Sequence, residues 1–268
     1  MEPVLFFDSG IGGIPYCRHF LGRNPGESTV YLADRANFPY GKWEKQKLSG
    51  IIVSLMEQVI RAINPKIAVI VCNTATIAGL AQLRERFPSL PFVGTVPAVK
   101  PATLASKSGK VGVLGTELTV KEPYIRDISA QYGNSEVIGI AAPELVEFVE
   151  THLDTAAPEE RRSIARSYLN QFRAAGVDSL VLGCTHFLFL QEEFQQEAAP
   201  DITVFESING ITHRIESLIA AIPQNENQPN VPLPMPNRLL LTGSSAPEPS
   251  WIKWADRLGF TLSLLGDL

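Results

Sequence analysis

Short apolar runs recur along the chain, with amphipathic stretches between them. The runs cover residues 4–7, 29–32, 67–71, 92–94, 110–114, 136–140, 179–182, 203–205, 239–241 and 261–264, bounded by Gly, Pro, Asn or Asp. Continuous rather than alternating apolar residues suit strands of a parallel sheet covered on both faces. The clearest intervening pattern is Leu48, Ile51, Ile52, Leu55, Met56, Val59, Ile60 and Ile63, whose three-and-four spacing lays one apolar stripe along a helix that Pro65 stops. Alternating strand and helix units predict an α/β fold with helices on both sides of a mainly parallel sheet. A strand–Cys–Thr pattern occurs in each half of the chain, so we expect two similar α/β lobes related by pseudo-two-fold symmetry. The expected lobes are residues 1–96 plus 208–268 and residues 97–207, with a boundary near "TVPAVKPAT" and the active site in the cleft between them. The Pro/Asn-rich stretch 222–237 has no periodicity and reads as an exposed loop.

Composition narrows the function without choosing it. In 268 residues, 45% are apolar and 19% charged, as in a globular protein with a full core. A net charge of −5 and the lack of a Lys/Arg cluster give no electrostatic footprint for nucleic acid. The apolar runs are strand-sized, so no membrane span is expected. The chain enters its first strand directly after Met1-Glu2-Pro3, without a secretory pattern, and its three cysteines at 17, 72 and 184 make no disulfide framework. A cytoplasmic protein with reduced thiols is the expectation.

The candidate chemistry falls at strand exits. Ligands of open parallel sheets bind beyond the carboxyl ends of the strands, and there lie Asp8 and Ser9, Cys72 to Thr74, Thr116, and Cys184 to His186. The loop "DSGIGG" (8–13) lacks the Walker lysine and has Pro15 where a third dinucleotide-binding glycine would stand. It reads as a tight turn capped by Asp8 or Ser9 before a helix, or else as backbone N–H groups and Ser9 holding a small anion. Tyr40 in "NFPYG" reads as a packed aromatic in a turn, or as part of a loop closing over a ligand. Cys17 fits a half-buried helix position and receives no role. "CTH" lacks the spacing of a metal site, and no metal is expected. A thiol hydrolase using Cys184 and His186 would leave Cys72 without a purpose. Two opposed thiols, by contrast, permit inversion of a carbon centre, because one removes a proton from one face and the other delivers a proton to the opposite face. A free thiol titrates at about 8.5, so N–H donors, His186 or a substrate ammonium would have to favour the thiolate. Asp8 would hold that ammonium or accept its proton.

With these residues in hand, the chain resembles the glutamate racemase family, the cofactor-independent isomerases that make D-glutamate for bacterial peptidoglycan. The resemblance rests on "FFDSGIGG", "YLADRANFPYG", "IVCNTAT", "VPAVKPA", "VGVLGTELTV", "PELVEFVE" and "LVLGCTHF", in the family's order, and more loosely on the tail "LLLTGSSAPEPSWIKWADRLG". It implies Cys72 and Cys184 as catalytic thiols serving the D and L enantiomers, assisted by Asp8 and His186, with Glu150 near the second. It implies substrate contacts from Asp8, Ser9, Tyr40, Gly41, Asn73, Thr74, Thr185 and His186, with Thr116 and Thr119 behind them. Holding two carboxylates by uncharged donors avoids over-stabilising the ground state. The chain departs from the pattern at Ala142, Leu188 and Glu206, none of them a matched thiol. The resemblance also implies a small-molecule substrate and a homodimer, while charge and the short apolar runs leave no nucleic-acid or membrane partner expected. The competing expectations are racemisation of aspartate or another acidic amino acid, and a non-catalytic protein that binds an amino acid or a partner.

Overall fold

The computed structural model describes residues 2–223 and 236–267. Most of the stretch expected to be an exposed loop, residues 224–235, lies outside the described residues. In chain order the elements are β1 (Val4–Asp8), α1 (Ile14–Arg23), β2 (Thr29–Ala33), α2 (Lys45–Ile63), β3 (Ile67–Ile70), α3 (Asn73–Arg86) and β4 (Phe92–Gly94). There follow α4 (Val99–Ala105), β5 (Lys110–Gly115), α5 (Glu117–Lys121), α6 (Pro123–Tyr132), β6 (Glu136–Ala141), α7 (Pro143–Thr151), α8 (Pro158–Ala174), β7 (Ser179–Leu182), α9 (Gln191–Ala198) and β8 (Thr203–Phe205). The chain then adds α10 (Ile208–Ala220), β9 (Arg238–Leu241), α11 (Pro249–Leu258) and β10 (Thr261–Leu264). Every apolar run of the sequence is a strand, and the ends shift by one residue at most.

The chain divides into two compact units, Met1–Thr95 with Ile208–Leu268, and Val96–Ser207. The first holds a sheet in the order β10-β9-β2-β1-β3-β4 and the second one in the order β6-β5-β7-β8, all neighbours parallel. The order β2-β1-β3-β4 is therefore repeated as β6-β5-β7-β8, with β9 and β10 added to the first sheet beyond β2. In this topology β3 matches β7 and β1 matches β5. The chain steps outward from β1 to β2, then crosses back to β3, so the exits of β1 and β3 form a switch point where ligands bind such sheets. The exits of β5 and β7 form the same feature.

The first core sets the inner face of α2 against the sheet. Leu48, Ile52, Met56 and Val59 are buried with Leu5, Phe7, Leu32 and Ile70. Ile51 and Leu55, expected on the same stripe, are only half-buried and line a cavity of about 1020 Å³ between α2 and the exits of β9 and β10. The helix closes on Asn64 in the left-handed conformation (φ 48°), which a short polar side chain tolerates, with Pro65 following. In the second unit Val99, Ala102, Val111, Val113, Ile125 and Val181 form the corresponding cluster. No helix among the described residues is long and apolar enough to cross a membrane.

Candidate active site

In the first unit, Cys72 follows the exit of β3 and is the N-cap residue of α3. Its sulfur accepts the Ala75 backbone N–H at 3.4 Å, and the residue is 6% exposed. An extended strand conformation at Cys72 (φ −142°, ψ 117°) turns the side chain over the first helical turn, where the helix dipole favours negative charge. Asn73 and Thr74 fill that first turn and are buried. Asp8, at the end of neighbouring β1, is fully buried; its Oδ1 accepts the Gly10 N–H at 2.7 Å and the Ser9 hydroxyl at 3.4 Å.

The glycine loop is tied from within. Tyr31 of β2 donates its hydroxyl to the Gly10 carbonyl (2.8 Å) and accepts the Gly13 N–H (3.1 Å). A Cβ on Gly13 would stand 2.3 Å from Val71 Cγ2, so glycine is required by close packing on the β3 exit. Helix α1 starts at Ile14, and its N-cap Gly13 has no side-chain cap, which corrects the expectation that Asp8 or Ser9 caps it. The N–H groups of Gly10 and Gly13 are spent on Asp8 and Tyr31, which leaves fewer loop donors for an anion than the sequence suggested.

Tyr40 is buried, as a packed aromatic should be, with its ring centroid 6.2 Å from that of Phe7. Its hydroxyl donates to Asp34 Oδ2 at 2.6 Å. Burial first, then the Asp34 carboxylate, with smaller contributions from Cys72 and Asp8, hold the phenol well above the ordinary tyrosine value. Tyr40 therefore stays protonated and belongs to the group of residues around Cys72. Gly41, beside it, is exposed. Asp34 was absent from the sequence-based candidates although it lies in "YLADRANFPYG"; the available signal was an aspartate just past a strand exit, as at Asp8.

In the second unit, Gly183 and Cys184 follow β7, and residues 185–190 form a 3-10 turn rather than an α-helix. Cys184 is 6% exposed and lies 3.9 Å from His186 Nδ1, while His186 Nε2 is 2.7 Å from Glu150 Oε1 in the last turn of α7. Burial alone would push the His186 imidazole down. Hydrogen bonds and charge from Cys184 and Glu150 outweigh it and raise the imidazole well above 6.5. Gly183 lets β7 approach β5, since its N–H bonds the Leu114 carbonyl at 2.7 Å and a Cβ would stand 3.0 Å from that oxygen. At the matching β5 exit, Thr116 caps α5 by accepting the Thr119 N–H at 3.3 Å, and the two hydroxyls lie 3.0 Å apart. Thr119 is fully buried against Thr116, and Thr185 is buried beside Cys184.

Each unit thus gathers its own share of the expected residues. Asp8, Ser9, Tyr40, Cys72, Asn73 and Thr74 meet at the β1 and β3 exits, and Thr116, Cys184, Thr185, His186 and Glu150 at the β5 and β7 exits. Cys17 is fully buried in α1, and burial alone pushes its thiol far above the ordinary range, so it has no reactive form to offer. Among the described residues, no three His, Cys, Asp or Glu side chains gather as a metal site. Taken alone, Cys184, His186 and Glu150 have the form of a thiol with a base and an orienting carboxylate, which serves nucleophilic chemistry as readily as proton transfer. A second buried thiol at the equivalent switch point of the other sheet is what a nucleophilic role leaves unexplained.

These features define an α/β protein with a buried thiol at one strand exit of each of its two sheets. The model of the Asp/Glu/Hydantoin racemase family matches residues 22–211, and the chain belongs to that family. It is an isomerase. It is 38% identical over 219 residues to a glutamate racemase of Sphingopyxis alaskensis, covering 81% of both chains. It is 39% identical over 222 residues to a glutamate racemase of Brucella anthropi, covering 81% of this chain and 80% of the relative. Among solved structures it is similar to glutamate racemase of Escherichia coli in complex with L-glutamate and the activator UDP-MurNAc-ala, with 28% identity, 98% of each chain covered and a TM-score of 0.84.

Proposed function

We propose that this protein interconverts L- and D-glutamate by a cofactor-independent, two-thiol mechanism. The reading is carried by the placement of Cys72 and Cys184 at equivalent exits of two sheets with the same strand order, in a chain 38% identical to glutamate racemases. With glutamate held between the two thiols, one sulfur as thiolate takes the Cα proton. The Cα–H bond breaks and its electron pair passes into the α-carboxylate. The opposite sulfur, as thiol, then delivers a proton to the other face, forming the new Cα–H bond. The two sulfurs end with their protonation states exchanged, and the reverse reaction runs by the same path.

Each thiol has its own assistance. Cys72 would take the proton of the D enantiomer, with the α3 amides stabilising its charge and Asp8 receiving the substrate ammonium. Cys184 would take that of the L enantiomer, with His186 as proton donor or cation beside it and Glu150 orienting the imidazole. Ser9, Gly41, Asn73, Thr74 and Thr185 would hold the two carboxylates by uncharged donors, with Tyr40, whose one hydroxyl proton goes to Asp34, in contact beside them and Thr116 and Thr119 shaping the second site. The product would supply D-glutamate for peptidoglycan in the cytoplasm, in keeping with three free cysteines, and the active form would be a homodimer.

Incubation with L-glutamate or L-aspartate in deuterium oxide tests the reading. Deuterium should enter the Cα of inverted glutamate and not of aspartate, without added cofactor. Exchange into aspartate alone would move the substrate assignment, and exchange into neither would remove the function.

A further inference from the structure

We propose that Asp34 and Thr242 are a positioning pair that fixes Tyr40, so that the last part of the chain supplies a working element of the Cys72 site. The carboxylate of Asp34 is fully buried and bonded on both oxygens. Oδ1 accepts the Thr242 hydroxyl at 2.7 Å and Oδ2 accepts the Tyr40 hydroxyl at 2.6 Å. The Asn37 amide lies 3.1 and 3.0 Å from the two oxygens and spans them. A carboxylate gripped on opposite oxygens cannot rotate without breaking a charge-assisted bond. Packing a tyrosine ring needs no such group, and burying a charge is costly, so the carboxylate points to a demand for placement.

Thr242 is itself held firmly. It follows β9, its N–H bonds the Ala33 carbonyl at 3.1 Å, and its hydroxyl accepts the Ala36 N–H at 2.9 Å. With that acceptor position filled, the hydroxyl proton is directed at Asp34. The loop beyond is wrapped round the Arg35 guanidinium, which donates to the carbonyls of Thr242 (3.3 Å), Ser245 (2.8 Å) and Ala246 (3.2 Å) and to Glu248 (2.9 Å). Gly243 permits this wrapping, because it has φ +92° and a Cβ there would stand 3.2 Å from the guanidinium. At the other end of the turn, the Trp43 indole N–H donates to the Asn37 carbonyl at 2.8 Å. The Tyr40–Gly41 turn is therefore anchored from β9, about 200 residues away in sequence.

The proposal rests on the reading of Tyr40 and Gly41 as substrate contacts. A misplacement of about 1 Å in such a contact is enough to cost activity. The test compares T242V, which removes only the hydroxyl, with T242S, which keeps it. We expect T242V to raise the KM for glutamate about tenfold in both directions with kcat nearly unchanged, and T242S to restore it. Crystal structures of the two variants supply a readout independent of activity: the Tyr40 hydroxyl should leave Asp34 in T242V and stay in T242S. D34N, similar in shape, should reproduce the KM effect and serves if T242V does not fold. A Tyr40 that stays in place in T242V, or moves with no change in KM, overturns the proposal. If the wild-type chain exchanged no glutamate, the functional reading would fall, while displacement in T242V and its reversal in T242S would still support the pair.

Discussion

The two thiols occupy matching places in sheets of the same strand order, yet their surroundings differ in kind. Cys72 opens a 14-residue helix and leans on a backbone N–H. Cys184 opens a six-residue 3-10 turn, has no cap hydrogen bond, and leans on an imidazole backed by a carboxylate. Space is also made from opposite sides. At the first exit, residue 71 is valine and the glycine is Gly13 on the loop facing it. At the second, residue 183 is the glycine, and the Leu114 carbonyl and the Val113 side chain press on it. The repeat therefore preserves where each sulfur sits and leaves free how its charge is stabilised. A reaction that alternates between two bases requires only that both reach the substrate, so nothing forces the two environments to be alike.

The largest effect expected of any substitution is loss of either sulfur. C72S and C184S should each lower kcat/KM for racemisation by about 10²–10⁴-fold, the range of a general acid or base, with unchanged circular dichroism. Near wild-type turnover in either variant would end the two-base reading. Because D- and L-glutamate are equal in free energy, kcat/KM must fall equally in both directions, and the asymmetry between the two thiols should appear in deuterium wash-in from one enantiomer.

The next tests separate the two environments. H186N should cost about 10²-fold. E150Q should cost about tenfold, since it acts through a hydrogen bond to a charged partner. Neither should impair wash-in at the Cys72 side as severely, and an equal loss on both sides would erase the contrast drawn here. His186 also predicts a stability signature. Its folded value is raised, so its contribution is fully present below about 6.5 and is lost as pH rises through the folded value. Between those limits, urea unfolding of wild type should weaken with rising pH more steeply than that of H186N; parallel curves would contradict the ion pair.

Packing gives smaller effects. G13A should destabilise by about 1–3 kcal/mol through overpacking on Val71, with partial relief in G13A/V71A. G183A should cost less, as its nearest contact is 3.0 Å against 2.3 Å for Gly13. The reverse order in thermal melts would break the assignment of the two glycines. C17A should leave turnover unchanged, because complete burial leaves that thiol no reactive form.

Much of the fold is legible along the chain because each apolar run is a strand, wholly buried in β1, β2, β3 and β7, and apolar continuity is a local property of the sequence. The strand exits follow, and with them Cys72, Cys184, Asp8 and Thr116. What the linear pattern misjudged depends on which side of a helix meets a sheet or where a loop's donors turn. Ile51 and Leu55 of the α2 stripe face a cavity, and the donors of the 8–13 loop turn inward on Asp8 and Tyr31.

Local order alone determined the ten strands, the α/β class and the thiols that end two of them. Only tertiary structure decided that Glu150 backs His186 and that Thr242 holds Asp34, pairs separated by 36 and 208 residues. Hydrophobic periodicity reports burial of a segment against whatever covers it, whereas a hydrogen bond between distant side chains exists only once the fold has brought the segments that carry them side by side.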